Sequence, residues 1–171
     1  GALAWVDLPA PDVDLPSNLP ENYLAELRPA ANSWLRQIAS RLNRGLALII
    51  DYGFAGDQLL APWRTGGTLS CYRDNRRDDN PLESPGEKDI TAHVNFTALA
   101  RTGIEEGLHL TGFTDQYHFL VGAGTTLLLE MESAGASNHA DLRAMRTLFH
   151  PETMGTQFKY LALTRNLPGS L

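Results

Sequence analysis

The sequence predicts an α/β chain, read as the closing half of a doubly wound sheet, and three observations predict it. A helix-period segment at about residues 29–43 leads into a continuous apolar run, Leu46-Ala47-Leu48-Ile49-Ile50, that stops at Asp51-Tyr52-Gly53. A second helix-period segment at about 96–106 leads into a short apolar run at 108–113. A last apolar run, Phe158 to Thr164, follows Pro151. Helices that feed strands in this order belong to α/β architectures. Three strands make a poor sheet of that class, so partner strands are expected upstream of Gly1, and the abrupt, apolar start reads like the middle of a protein.

Each element has a local reason. Residues 7–20 are rich in Pro and Asp, which fix φ and remove ladder donors, so this stretch reads as an extended surface connection. In the first helix Ala31, Leu35, Ile38, Ala39 and Leu42 recur on one face. Pro29 suits its first position, and Gly45 suits a left-handed stop. The run 46–50 has the length and composition of a central parallel strand buried on both faces, ended by Asp51. Such a strand expects a neighbour on each side, supplied by a homodimer or by a retained upstream fragment of the same protein. Residues 54–89 are irregular, with a mixed charge cluster over 73–79; a loop this long is functional or an inserted unit of structure. In the second helix Asn95 is the N-cap, Gly107 the stop, and Phe96, Leu99, Ala100 and Gly103 form one face. Residues 116–121 and 125–131 read as two short helices around a Gly122-Ala123-Gly124 turn, and 139–149 as a helix broken before Pro151.

Composition narrows the function classes. The 171 residues are 43% hydrophobic and 20% charged, enough for one packed domain or a large part of one. A net charge of -6 argues against a duplex nucleic-acid binder, which needs a basic face. No apolar run reaches the length of a membrane span, and no signal-peptide pattern opens the chain. One cysteine, Cys71, excludes an internal disulfide; it has no adjacent His or Lys to activate it. The histidines lack metal-ligand spacing, so no metal site is expected. Neither a phosphate loop nor a Gly-x-Ser-x-Gly elbow occurs.

Two segments can carry chemistry. Asp51 lies where open α/β sheets bind ligands, beyond the carboxyl end of a strand, and can hold a cation or accept a proton; alternatively it caps the following loop. The segment 86–95 is the densest polar stretch before a helix. The unperturbed pKa of an imidazole lies near neutrality, so His93 within it can act as a general base, and Asp89 can orient it or bind a cationic substrate. The alternative is that Asp89, Thr91 and Asn95 satisfy backbone donors around a helix start. By themselves the residues reach an α/β domain with a polar edge.

Several segments together resemble the MidA family of S-adenosylmethionine-dependent methyltransferases: Ile50-Asp51-Tyr52-Gly53, Gly67-Thr68-Leu69, Asp79-Asn80-Pro81, the run from Pro85 to Phe96 with Asp89-Ile90-Thr91-Ala92-His93-Val94, Thr114-Asp115-Gln116, and Pro151 through Met154-Gly155 to Phe158–Leu163. The resemblance implies the C-terminal half of a class I, Rossmann-like methyltransferase fold, strands five to seven with flanking helices, within a single domain carrying a long irregular insertion at about 54–92. The seventh strand would be antiparallel. It also implies that the Gly-rich S-adenosylmethionine loop lies before the stretch seen here, so that this chain alone is inactive and holds the cofactor weakly. The family's acidic residue before the first helix matches Glu26, while Arg28 stands where a capping Ser is usual, a change that weakens the cap by about 1 kcal/mol.

The reading that follows is a protein arginine N-methyltransferase related to respiratory complex I assembly. Carboxylates must grip the guanidinium and a base must take its proton. Glu26, Asp51 and Asp89 are the acidic candidates and His93 the proton acceptor, gathered at the carboxyl edge of the sheet. The protein partner would be an arginine-bearing substrate, a respiratory complex I subunit among the candidates, met in the bacterial cytoplasm or, in a eukaryote, the mitochondrion. The alternatives are a non-catalytic assembly module and a small-molecule methyltransferase of the same fold.

Overall fold

The computed structural model describes residues 3–9, 15–74, 76–133 and 147–167. Residues 3–9 and 15–20 carry no regular structure and are almost wholly exposed, as their prolines imply. Helix α1 (Pro29–Arg41) opens with Pro29, and Arg28 offers no side-chain cap. Strand β1 spans Gly45–Phe54. Helix α2 (Gly56–Leu59), strands β2 (Ser70–Arg73), β3 (Arg76–Asp78) and β4 (Asp89–Thr91) follow. Strand β5 (Val94–Asn95), helix α3 (Phe96–Glu105), strand β6 (His109–Asp115), helix α4 (Gln116–Ser133) and, after a single π-helical turn at Pro151–Gly155, strand β7 (Phe158–Arg165) come next among the described residues.

The main sheet has the order β5-β1-β7-β6. Strand β7 runs antiparallel to both β1 and β6, so the last strand inserts between the first and the penultimate. The antiparallel last strand is what the resemblance implies for strand seven. On one face α1 and α3 pack against β7, burying Leu35, Ala39, Phe96, Leu99, Leu161 and Leu163. Burial of these side chains is the main stabilising term of the fold. The guanidinium of Arg165, at the end of β7, donates to Ala39 O (2.6 Å) and Leu42 O (3.1 Å) at the end of α1 and to Glu106 O at the end of α3. One cation thus satisfies the orphan carbonyls of two helices.

Several expectations change or gain detail. Within this chain β1 is half-buried on one face and exposed on the other, at Leu46, Leu48, Ile50 and Tyr52, the exposed apolar face expected of a strand that calls for further neighbours. Helix α4 covers β7 on that side, stacking Phe119 on Tyr160 with ring centroids 4.2 Å apart, but does not bury β1. Its long pairing, moreover, is antiparallel, to β7; the parallel neighbour β5 meets only Gly53 and Phe54. The strand also does not end at Asp51. Phe158 and Lys159 of β7 and Val94 and Asn95 of β5 supply ladder partners through Phe54, and those bonds outweigh the local stop signal. The helix before it ends at Leu42, whose extended backbone breaks the turn, and Gly45 (φ +149°) opens the strand instead of closing the helix.

The expected pair of helices around Gly122-Ala123-Gly124 is one continuous helix, α4. Glycine costs a helix about 1 kcal/mol, which weakens it without obliging it to break. The stretch 54–92 is only partly irregular and holds an inserted unit of structure, the second of the two readings: β2, β3 and β4 form a three-stranded antiparallel sheet in the order β3-β2-β4. Cys71 is fully buried within it. The mixed charges of 73–79 lie on its hairpin, as exposed pairs such as Arg77–Asp79 at 2.9 Å and Arg73–Glu87 at 3.1 Å. Asn95 caps α3 as expected, accepting from Ala98 N at 3.0 Å, and Gly107 (φ +78°) stops it. The helix read at 139–149 lies outside the described residues except for its last turn, 147–149.

Candidate active site

The chain returns from the small sheet to the main one at His93. The return is close because Gly53 has no side chain: a Cβ there would stand 2.3 Å from Val94 O and 2.8 Å from the Phe96 ring. Gly53 of the Asp-Tyr-Gly run therefore lets β5 lie beside the carboxyl end of β1, where α/β sheets place ligands.

His93 packs edge-on against Phe54, with ring centroids 5.0 Å apart at 67°. The Arg64 guanidinium lies over the same Phe54 ring, 4.5 Å from its centroid. His93 Nδ1 is buried and has no hydrogen-bond partner. Burial, then the positive charges of Arg64 and Arg28, push the imidazole below its ordinary value; Glu26 and Asp51 oppose them with less effect. This setting favours the neutral imidazole, the form that can receive a proton.

Glu26, just before α1, is tied to the start of the small-sheet region. Thr68 N donates to its Oε1 (2.8 Å) and Oε2 (3.0 Å), Leu69 N to Oε1 (3.0 Å), and the Thr68 hydroxyl to Oε2 (2.8 Å). Gly67 (φ +67°) makes this possible, since a Cβ there would sit 2.3 Å from Oε1. Burial raises the Glu26 carboxyl, but the Thr68 and Leu69 donors outweigh it and hold the group below the usual carboxylate range. The Thr68 hydroxyl in turn accepts from His93 N at 2.9 Å. Alongside this contact Leu24 N donates to Thr65 O (3.0 Å) and Tyr23 OH to Ala61 O (3.2 Å).

Asp51 is exposed on β1, opposite Lys159 in register, with Oδ1 accepting from Tyr52 N at 2.7 Å. Asp89 is exposed on β4 opposite Tyr72. Of the four predicted site residues, Glu26 reaches His93 through Thr68, and Asp51 acts on it through its charge; Asp89 is not among the charges that act most on His93. A cleft of about 800 Å³ opens from Glu26, Arg28 and His93 along α1 and α3. The residues that sequence reading did not single out for the site are Phe54, Arg64 and Thr68. Gly67-Thr68-Leu69 was a recognisable segment, but its carboxylate partner is 42 residues away and only the fold pairs them. No cluster of potential metal ligands occurs among the described residues, and no described helix is long and apolar enough to cross a membrane.

Comparison with known proteins decides the family. The model of the family described as "Putative S-adenosyl-L-methionine-dependent methyltransferase" matches residues 7–114. This chain belongs to the MidA family of methyltransferases. A Burkholderia thailandensis member bound to S-adenosyl-homocysteine superposes with a TM-score of 0.82 at 35% identity, over 90% of this chain and 40% of that one. An uncharacterized protein of the same superfamily and organism gives 0.83 at 35% identity, over 90% and 42%. Among curated relatives, the Drosophila melanogaster "Protein arginine methyltransferase NDUFAF7 homolog, mitochondrial" is 33% identical over 140 residues, 78% of this chain and 30% of its own length. The Xenopus tropicalis "Protein arginine methyltransferase NDUFAF7, mitochondrial" is 28% identical over 144 residues, 81% and 31%. The chain therefore spans about 30% of the length of the curated relatives it matches. Its sheet is the class I, Rossmann-like methyltransferase sheet at strands five, seven and six.

Proposed function

We propose that this chain is the substrate-facing, C-terminal portion of a single methyltransferase domain that transfers a methyl group from S-adenosylmethionine to a protein arginine. The observation that carries the reading is His93: a neutral imidazole with a buried, unpartnered nitrogen at the carboxyl end of β1, within electrostatic reach of Asp51. The names of the curated relatives support arginine as the acceptor and a mitochondrial site of action for the eukaryotic members. Assembly of respiratory complex I belongs to the same proposal.

The chain does not fit the cofactor by itself. Its sequence has no Gly-rich strand–turn–helix to cradle the methionine and ribose, and the long edge of β1 over 45–52 has no described strand partner besides β7. Binding is assigned to the part of the longer relatives that lies outside this chain. S-adenosylmethionine, where bound, supplies an electrophilic methyl group. Asp51 and Asp89 orient the guanidinium and concentrate charge on its attacking nitrogen. His93 takes the proton that nitrogen releases. Glu26, whose two oxygens already accept from Thr68 and Leu69, sets the geometry around His93.

In the full-length enzyme, Asp51→Asn and Asp89→Asn keep shape and remove charge. Each is expected to lower kcat for an arginine peptide by about 10²-fold or more while calorimetry shows S-adenosylmethionine binding retained. Parent rates in both variants would show the carboxylates to be caps and overturn the assignment.

A further inference from the structure

Two legs of the small-sheet region meet near the site. Residues 65–69 lead into the small sheet and residues 91–93 return to the main one. They are joined by one side chain, Thr68. Its hydroxyl has a single proton to give, and it gives it to Glu26 Oε2 at 2.8 Å. Its oxygen then accepts the amide proton of His93 at 2.9 Å. The Thr68 amide and the Leu69 amide hold Glu26 from the other side, so the carboxylate cannot turn away. A hydroxyl polarised by a carboxylate is a stronger acceptor for the next amide, as in any chain of hydrogen bonds.

We propose that Thr68 is a positioning residue for the proposed reaction: with Glu26 it anchors the His93 backbone so that the imidazole is held against Phe54 in the charge field of the site. The proposal rests on the reading of His93 as proton acceptor, but the anchor itself is a separate claim and can be measured separately. The charged groups around the ring are Arg64 above Phe54, Arg28 at the start of α1, Glu26, and Asp51 on β1. Their distances to the imidazole depend on where residue 93 is held. Thr68 touches no reacting atom; it acts through residue 93.

Thr68→Val has the same shape and loses only the hydroxyl, whereas Thr68→Ser keeps it. Both keep the amide that holds Glu26. The test uses the full-length enzyme, with two readouts: the His93 titration followed by NMR of labelled histidine, and steady-state kinetics. In T68V the His93 midpoint is expected to move up toward the ordinary histidine value, with kcat down roughly 10- to 100-fold and KM for S-adenosylmethionine unchanged. T68S should restore both. A T68V enzyme whose His93 titration matches the parent's overturns the anchor. If the titration moves and T68S restores it while kcat does not change, the anchor stands and the reading of His93 as the base fails. If T68V unfolds, T68S with parent titration and Glu26→Gln with a midpoint moved up, against the fall that loss of its charge alone would give, still support the anchor; a parent or lowered midpoint in E26Q overturns it.

Discussion

The two sheets of this chain are held together by different physics. The main sheet rests on apolar burial: Leu161 and Leu163 are wholly inaccessible between β7 and the helices, with Phe96, Leu99 and Leu35 packed around them. The small sheet has one fully buried strand residue, Cys71, and is otherwise secured by polar ties. Lys88, almost fully buried at its side chain, is bound to Asp78 and to Asn80 O (3.1 Å), and the region is fastened to the rest through Thr68 and Glu26. Apolar burial is insensitive to pH and shared among many neighbours. A polar tie is local and directional, and it can be released by one proton or one substitution. The proposed base stands where the polar region rejoins the apolar one.

The largest way to break the comparison is in the apolar half. Leu163→Ala should cost about 2–5 kcal/mol in a urea titration that follows the main sheet. A cost near zero would mean that β7 is not the centre of the core. Next comes Arg165→Met, which keeps the apolar stem and removes the donors to the ends of α1 and α3. It should cost about 2–3 kcal/mol, since bonds from a charged group outweigh neutral ones. The smallest effect sharpens the polar half. Glu26 has a folded value below its ordinary one, so its contribution is complete above the ordinary carboxylate range and is lost as pH falls through the folded value. Labelling of Cys71 by a thiol reagent should therefore accelerate as pH drops below about 4.5 relative to its rate in unfolded chain, before the main sheet melts. In Glu26→Gln that acceleration should be absent. Labelling that tracks global unfolding at every pH would show the two sheets to be one cooperative unit.

Much of this was legible in the sequence, for identifiable reasons. The face of α1, the cap at Asn95, the stop at Gly107 and the final strand depend on neighbours within a few residues, and their side chains are those the structure buries or bonds. Asp51 and His93 stand out in the sequence as candidates because carboxylates and imidazoles before or after apolar elements are conspicuous. What local pattern does not carry is pairing at a distance. The continuation of β1 to Phe54 depends on β5 and β7, and the exposure of its second face depends on what covers it. Phe54 between Arg64 and His93, and the link from Glu26 through Thr68 to residue 93, join segments 10 to 42 residues apart. Helices and caps are settled by short-range sterics and hydrogen bonds, which a sequence displays directly. The electrostatic setting of His93 is a sum over groups brought together by closure of the chain, so only the tertiary structure could decide it.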